Sequence, residues 1–246
     1  METGKEIIEF TKGILNNVAK LDDIIDATIE PIKDYTDTIG DIITPFRSLV
    51  AISNLKRRMT FKAFIKNYAQ ELENHFEITK EETIRLEEFF KSKKNIQSVA
   101  EIIDSAINSK SLKSSAILGI IAGKFLKEKT DLNFEYLSLI ESLNVMTDID
   151  LFNFIELYEY IENSKLNDNS EDKEYRTRDF YKKDDLNKIK LDKDSLELTI
   201  EKLKRTNGLT YGIGGIGSVG NARGAFEMNS VTRMLYSIIK KTKIVE

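Results

Sequence analysis

The 246-residue chain combines 41% hydrophobic with 32% charged residues, a balance that excludes intrinsic disorder and permits a sizeable core. It contains no cysteine, which excludes a disulfide framework, a thiol nucleophile and a cysteine zinc site. The net charge of −4 is divided unevenly, since residues 1–170 have a balance of −8 and residues 171–246 one of +4. The basic C-terminal end is therefore the part whose charge permits nucleic-acid binding.

No secretory leader is visible at the start of the sequence, because METGKEIIEF has four charged side chains where a leader has an apolar run. The most apolar window, Ser114 to Phe125, is twelve residues long, whereas a helix that spans a bilayer needs about 20. We therefore expect a cytoplasmic protein with no integral membrane span and a buried helix at this window.

Residues 1–44 carry an apolar stripe at three- and four-residue spacing, which predicts a helical arm with one hydrophobic face. The stripe is compatible with packing against the arm's own domain, with a coiled coil between two copies, or with a membrane surface. Its acidic polar face disfavours binding to anionic lipid. Self-association would use the apolar side chains of Ile7, Ile14, Val18, Leu21 and Ile25.

Residues 46–163 show a succession of helical patterns with short connections, which predicts antiparallel neighbours in a helical bundle. The basic run from Lys56 to Arg58 is interpreted as a solvated helix face rather than a phosphate site. The only histidine, His75, has no evident partner for metal binding or acid–base chemistry. The predicted helices cover residues 46–76, 81–92, 95–108, 112–128, 132–144 and 148–163, within an all-helical domain of residues 1–163.

A charged segment separates this domain from the C-terminal end, since sixteen of the 29 residues from 164 to 192 are charged. Such a composition predicts a linker or long surface loop over residues 164–191. A helix follows in DSLELTIEKLKRTNG, opened by the cap-like pair Asp194 and Glu197 and ended by Asn207-Gly208. LTYGI and AFEMN are then predicted as strands on either side of a glycine tract, and Ser230 as the cap of a last helix.

The stretch from Gly208 to Phe226 holds seven of the twelve glycines and two overlapping G-x-G-x-x-G matches, a pattern found in dinucleotide sites. That motif acts at a strand-to-helix turn within a βαβ unit, where the pyrophosphate binds the amides of the helix N-terminus. Here a strand pattern follows, and only 26 residues remain after Gly220, which leaves no room for such a unit. We therefore expect no nucleotide, no cofactor and no small-molecule substrate.

The order helix, glycine-rich hairpin, helix resembles the C-terminal half of a winged-helix domain. The resemblance is carried by SLELTIEKLKRTNGL as the recognition helix, the glycine tract as the wing, and FEMNSVTRMLYSII as strand and closing helix. It implies an α+β module over residues 192–246, whose earlier helices would come from residues 132–163. The expected fold class is mostly α, with an N-terminal helical bundle followed by this winged-helix-like module and its β-hairpin wing.

Winged-helix domains bind duplex DNA or proteins, and the charges of the recognition helix help to distinguish the two. Its first half is acidic, at Asp194, Glu197 and Glu201, and these carboxylates repel a phosphate backbone. Protein contact is therefore favoured over DNA readout. If DNA is bound, the phosphate contacts would come from Lys202, Lys204, Arg205, Arg223 and Arg233.

The sequence contains none of the motifs G-x-S-x-G, H-E-x-x-H or H-x-E with C-x-x-C, and its adjacent acidic pairs diverge by about 100° on a helix. We therefore expect a protein that is not an enzyme and holds no metal. In its composition, rich in Lys, Ile and Asn, the chain resembles small bacterial and phage proteins of the mobile-element and phage-defence kind. These observations favour a non-catalytic adaptor or regulator that works through protein contacts, with a DNA-binding transcription regulator as the alternative.

Overall fold

The computed structural model describes residues 9, 11–13, 55–73, 80–128, 132–167, 181–182, 189–213, 224–242 and 244. By its internal contacts the chain divides into two compact units, Met1–Leu132 and Asn133–Glu246. The described residues are mostly helical, as the sequence predicts. Several predicted features lie outside the described residues, namely Ile7, Ile14, Val18, Leu21, Ile25, His75, residues 214–222 of the glycine tract, and Arg223.

The described part of the first unit is helical, and α3 (Lys93–Asn108) and α4 (Leu112–Glu128) confirm the helices predicted at 95–108 and 112–128. Helix α4 contains the apolar window and is buried on nearly all sides. Among the described residues, no helix combines the length and the apolar character that crossing a bilayer requires. The helices of this unit are α1 (Leu55–Glu73), α2 (Lys80–Phe89), α3 (Lys93–Asn108) and α4 (Leu112–Glu128).

Helices α1 and α4 form the most extensive helix pair of this unit, because a row of small residues lets their backbones approach closely. Ser115, Gly119 and Gly123 recur every four residues along α4 and so share one face. A Cβ atom at Gly119 would overlap the carbonyl oxygen of Phe64 on α1, and one at Gly123 would lie 2.8 Å from the Cβ atom of Glu71. The backbone and side chains of α1 therefore leave no room for larger residues at these two positions.

Ser115 adds hydrogen bonds to this close helix contact. Its hydroxyl lies 2.6 Å from the carbonyl oxygen of Thr60 on α1 and 3.0 Å from that of Ala106 on α3. The Thr60 hydroxyl in turn donates to the carbonyl oxygen of Ile107 at 3.0 Å. Three helices are thus joined by buried hydroxyl groups inside an otherwise apolar core.

The described residues of the N-terminal arm belong to the first unit and pack against it. Thr11 and Gly13 are buried, and the Thr11 hydroxyl lies 2.8 Å from the phenol oxygen of Tyr68 on α1. Burial raises the pKa of the Tyr68 phenol. Lys12 forms an ion pair with Glu87 of α2 at 3.2 Å. Of the alternatives for the arm, packing against its own domain is the one that these residues adopt, while self-association through the apolar stripe stays a prediction.

The second unit combines helices with a three-stranded antiparallel sheet of order β1-β3-β2. Tyr181 and Tyr211 both pair with Phe226 of the central strand. Strand β1 lies where the sequence predicts a linker or loop, whereas β2 and β3 coincide within a residue with the predicted strand segments. The elements are α5 (Phe134–Val145), α6 (Asp148–Asn167), β1 (Tyr181–Lys182), α7 (Lys193–Arg205), β2 (Leu209–Ile213), β3 (Gly224–Met228) and α8 (Ser230–Thr242).

Helices α5 and α6 belong to this second unit, so the division between units falls at residue 132, whereas the sequence places it after residue 163. Each helix of the unit buries one face, as the amphipathic spacing of its apolar residues dictates. The shared core is formed by Leu139, Leu143, Leu151, Phe154, Leu157, Leu196, Leu203, Leu235 and Ile238, all of which are buried.

The N-termini of α7 and α8 are capped by other residues than those that the sequence predicts. The side chain of Asp192, not Asp194, caps α7, because Asp194 already lies inside the helix. Asn229, not Ser230, caps α8 and accepts from the backbone N–H of Val231 at 3.0 Å. Both predicted caps are therefore wrong by one or two residues.

The predicted stop of α7 at Asn207-Gly208 is confirmed. Asn207 has a φ of 57°, in the left-handed region, and the N–H of Gly208 donates to the carbonyl oxygen of Leu203 at 2.7 Å. The Asn229 side chain donates to the carbonyl oxygen of Asn207 at 2.6 Å, so the end of α7 and the start of α8 are held together.

The close packing of α1 and α4 predicts the effect of Gly119→Ala. The added Cβ atom would overlap the Phe64 carbonyl, so we expect the free energy of unfolding to fall by about 1–3 kcal/mol. In an uncrowded helix the same change raises stability by about 1 kcal/mol, so the sign of the effect is diagnostic. Urea unfolding followed by circular dichroism measures it.

Ser114→Ala is the matched control on the same helix. The buried Ser114 hydroxyl has no hydrogen-bond partner among the described residues, so its removal should leave stability unchanged or slightly higher. A Gly119→Ala protein as stable as the wild type would contradict the close contact between the two helices.

Candidate functional site

Helix α6 begins at a capping box that also places Asp150 against α7. The Asp150 carboxylate accepts from the backbone N–H of Thr147 at 2.7 Å and from the Thr147 hydroxyl at 2.6 Å. The backbone N–H of Asp150 lies 3.3 Å from the same hydroxyl oxygen. These reciprocal contacts satisfy amides that the first turn of a helix leaves without partners. They hold the carboxylate of Asp150 at the beginning of α6.

Asp150 is also the centre of the polar contacts between α6 and α7. Its side chain is only 5% exposed, and its Oδ2 atom lies 2.5 Å from the ammonium group of Lys202. Its Oδ1 atom accepts from the Thr199 hydroxyl at 2.9 Å. Burial alone would raise the pKa of Asp150, but the hydrogen bonds from Lys202, Thr147 and Thr199 outweigh it and hold the pKa below its ordinary value.

A second buried amide extends this network along the contact between the helices, which we call the α6–α7 seam. The Asn153 side-chain amide donates to the hydroxyl of Ser195 at 2.8 Å and to that of Thr199 at 3.2 Å. Asn153 and Thr199 are both buried. Because a buried amide or carboxylate destabilises a fold unless it is hydrogen-bonded, the seam fixes the rotation of α7 relative to α6.

The two lysines predicted to contact phosphate from α7 have carboxylate partners within the protein. Lys202 forms the ion pair with Asp150 and has 32% of its side chain exposed. Lys204 pairs with Glu201 at 2.7 Å and has 24% of its side chain exposed. A phosphate group would therefore have to compete with these carboxylates for both lysines.

The three predicted arginines do not complete a basic row on α7. Arg205 is exposed at the end of α7. Arg233 is exposed on α8, and its guanidinium donates to the carbonyl oxygen of Met228 at 3.3 Å. Arg223 lies outside the described residues. The four described cations are thus distributed over two helices, and three of them bond other groups of the protein.

Large apolar side chains are exposed beside the seam, where the sequence analysis placed no contact residue. Ile149 is 65% exposed and Phe152 49% exposed on α6, and Leu198 is 62% exposed on α7. We call these three side chains the α6–α7 apolar patch. Exposed aromatic and aliphatic side chains grouped on one surface are typical of protein-binding sites.

A second polar cluster joins α6 to α8. The rings of Tyr158 and Tyr236 stack with centroids 4.0 Å apart, and the Tyr236 hydroxyl donates to the Glu159 carboxylate at 3.2 Å. Lys240 pairs with Glu159 at 2.5 Å. Burial, together with the neighbouring Glu159 charge, raises the pKa of Tyr236. The ring stack, the Tyr236–Glu159 hydrogen bond and the Lys240–Glu159 ion pair together hold α8 against α6.

The described residues include no group of three acidic or histidine side chains that could hold a metal ion. No protein-family model, no curated protein and no solved structure matches the chain. The α6–α7 surface itself is therefore the evidence that bears on function.

The sequence patterns did not reveal the contacts of Asp150 and Asn153 with α7, although one local signal was available. Thr147 and Asp150 have the spacing of a capping box, and Asn153 lies three residues further on the same helix face. These positions lie in a segment rich in aromatic residues, which the helical pattern assigns to the core. Their partners on α7 could not be inferred from that pattern.

The lowered pKa of Asp150 predicts the pH dependence of stability. Asp150→Asn should lower the free energy of unfolding at pH 7 by about 2 kcal/mol, because the Lys202 ammonium would lose its charged partner. A carboxyl with a depressed pKa stabilises the fold above its unfolded pKa, ordinarily 3.8, and this contribution is lost as the pH falls through the lower folded value. Urea unfolding of both proteins should therefore show a difference that is constant above about pH 5 and shrinks below about pH 4.

Glu201→Gln is the matched control, because it removes the carboxylate of an exposed ion pair on the same helix. It should change the free energy of unfolding by less than about 1 kcal/mol. Equal stability of Asp150→Asn and wild type at neutral pH would contradict the structural role of Asp150.

Proposed function

We propose that the protein is a non-catalytic adaptor or regulator that binds another protein through the outward sides of α6 and α7. This proposal rests on one observation, namely the contrast between the basic and the apolar side chains of these two helices. Lys202 and Lys204 bind carboxylates of the protein itself, whereas the α6–α7 apolar patch is open to solvent. Protein interfaces are enriched in exposed aromatic and aliphatic anchors, while DNA interfaces need free cations.

The element order supports the interpretation of residues 192–246 as a winged-helix-like module. Helix α7, strands β2 and β3, and helix α8 follow one another, and the two strands are antiparallel neighbours. In this interpretation α7 corresponds to the recognition helix and the glycine tract to the wing. Leu198 would then lie on the solvent side of the helix that such domains use to contact their partner.

The broader setting that we propose is a bacterial or phage protein of the mobile-element or phage-defence kind, on the compositional resemblance alone. Self-association through the N-terminal arm belongs to the same proposal, because an adaptor gains binding strength when two copies present two contact surfaces. A cytoplasmic location is consistent with the cysteine-free sequence.

The alternative function is a DNA-binding winged-helix regulator. Exposed Arg205 and Arg233 favour it, since both guanidinium groups lie in the module that would contact DNA. Its weakness is the acidic start of α7, where Asp192 and Asp194 are exposed. Carboxylates at that position would face the phosphate backbone if α7 entered the major groove.

Binding of the full-length protein to labelled duplex DNA distinguishes the two functions. We expect feeble binding without sequence preference at 150 mM salt, measured by fluorescence anisotropy, and no effect of Lys202→Ala because this lysine is bound to Asp150. The regulator alternative predicts that Lys202→Ala weakens binding and reduces the log–log salt slope by about one unit. Tight, sequence-selective binding would overturn the adaptor proposal.

A peptide-display selection against the immobilised full-length protein tests the protein-binding surface without knowledge of the natural partner. Enriched peptides should lose binding to Leu198→Ser, since the patch supplies their apolar contacts. They should retain binding to Ile84→Ser, which removes an equally exposed side chain from α2 in the first unit. Selected peptides that bind both variants like the wild type would place the protein-binding surface elsewhere and contradict the proposal.

A further inference from the structure

The three side chains of the α6–α7 apolar patch lie along the solvent edge of one helix contact. Leu198 is three residues after Ser195 and four before Lys202, and both of these residues bond α6. Ile149 is four residues before Asn153, which bonds α7. Ile149 and Phe152 are three residues apart and so are neighbours on α6. Helical spacing therefore places Leu198 and Ile149 beside residues of the seam, with Phe152 next to Ile149.

Acidic side chains border this patch on both helices. Glu156 follows Phe152 by four residues on α6, and Asp194 and Glu201 lie four residues before and three after Leu198 on α7. All three are exposed. Lys202 is paired with Asp150, and Lys204 offsets the charge of Glu201, which leaves Glu156 and Asp194 as the uncompensated charges beside the patch. Exposed Arg205 lies two helical turns beyond Leu198. The border of the patch is therefore predominantly negative.

We infer that this surface binds a basic amphipathic segment of a partner protein, with apolar side chains on the patch and Lys or Arg side chains against Glu156 and Asp194. The inference rests on the proposed function and specifies the chemical class of the partner. Charge complementarity supports the inference, because the Lys or Arg side chains of such a segment would pair with the acidic border while its apolar face covers the patch.

The same charges disfavour the other occupants of an exposed apolar surface. A second copy that docked through the same surface would place two acidic borders together, because an isologous interface brings identical patches into contact. An anionic membrane surface or a nucleic acid would be repelled in the same way. With three apolar anchors the interface is small, which is typical of a transient complex.

Fluorescence anisotropy with full-length protein and two labelled 14-residue peptides of about the same length as α7 tests this inference. One peptide contains only Leu and Lys at amphipathic helical spacing, and the other has Glu in place of every Lys. We expect saturable binding of the Lys peptide and none of the Glu peptide. Phe152→Ser with Leu198→Ser should weaken binding by at least about tenfold, because both substitutions remove exposed anchors while leaving the core intact.

Two further variants separate patch binding from non-specific attraction to an acidic protein. Glu156→Lys with Asp194→Lys should weaken binding of the Lys peptide by about tenfold and allow the Glu peptide to bind. Ile84→Ser should leave binding of the Lys peptide unchanged. Equal binding of both peptides to the wild type, or binding of the Lys peptide that is insensitive to the Phe152 and Leu198 substitutions, would overturn the inference.

The failure of this inference is distinguishable from the failure of the proposed function. If displayed peptides depend on Leu198 but are neutral or acidic, the partner class is wrong and the protein-binding function stands. If the wild type forms a dimer in light scattering that Leu198→Ser dissociates, the occupant is a second copy, which also overturns the inference. If neither designed nor displayed peptides depend on the patch, the inference and the proposed surface are both wrong.

Discussion

The second unit is organised around one partly buried ion pair, between Asp150 at the start of α6 and Lys202 in the last turn of α7. A carboxylate removed from water destabilises a fold unless it is paired and hydrogen-bonded, so the positions of both helices are constrained at once. The pair fixes the rotation of α7 about its own axis. As a result Leu198 is left at the solvent edge, and an external phosphate would have to compete with Asp150 for Lys202. The proposed function follows from this single constraint.

The first unit depends on a different interaction, the close packing of two helices. There the backbones of α1 and α4 approach closely because Gly119 and Gly123 have no side chains, and the Ser115 hydroxyl bonds backbone carbonyls of two neighbouring helices. In both units, buried hydroxyl or carboxylate groups are satisfied across a helix contact, which selects one arrangement from the many that apolar packing alone would allow. In the second unit, that arrangement borders a surface with exposed apolar side chains and exposed acidic residues.

Local sequence signals predicted the helices and strands well, but they could not predict which residues far apart in the chain pair with one another. The helical period located α3, α4 and α6, and the Asn207-Gly208 stop is confirmed by the left-handed φ of Asn207. The sequence offers Lys202 as a phosphate contact if DNA is bound. Its pairing with Asp150 could not be inferred, because Asp150 lies 52 residues earlier and no pattern in the chain marks the pair. The exposure of Leu198 could not be inferred from the sequence either, because it depends on how the pair of Asp150 and Lys202 fixes the rotation of α7. The wing and the partner stay predictions.

The reactivity of individual lysines toward an amine-acetylating reagent, followed by mass spectrometry on the full-length native protein, tests the central claim most directly. Lys202 should react several-fold more slowly than Lys193, because Lys202 is paired with Asp150 whereas Lys193 is exposed at the start of the same helix. Asp150→Asn should remove the protection of Lys202 and leave Lys193 unchanged. Equal reactivity of the two lysines in the wild type, or protection of Lys202 that survives in Asp150→Asn, would contradict the account.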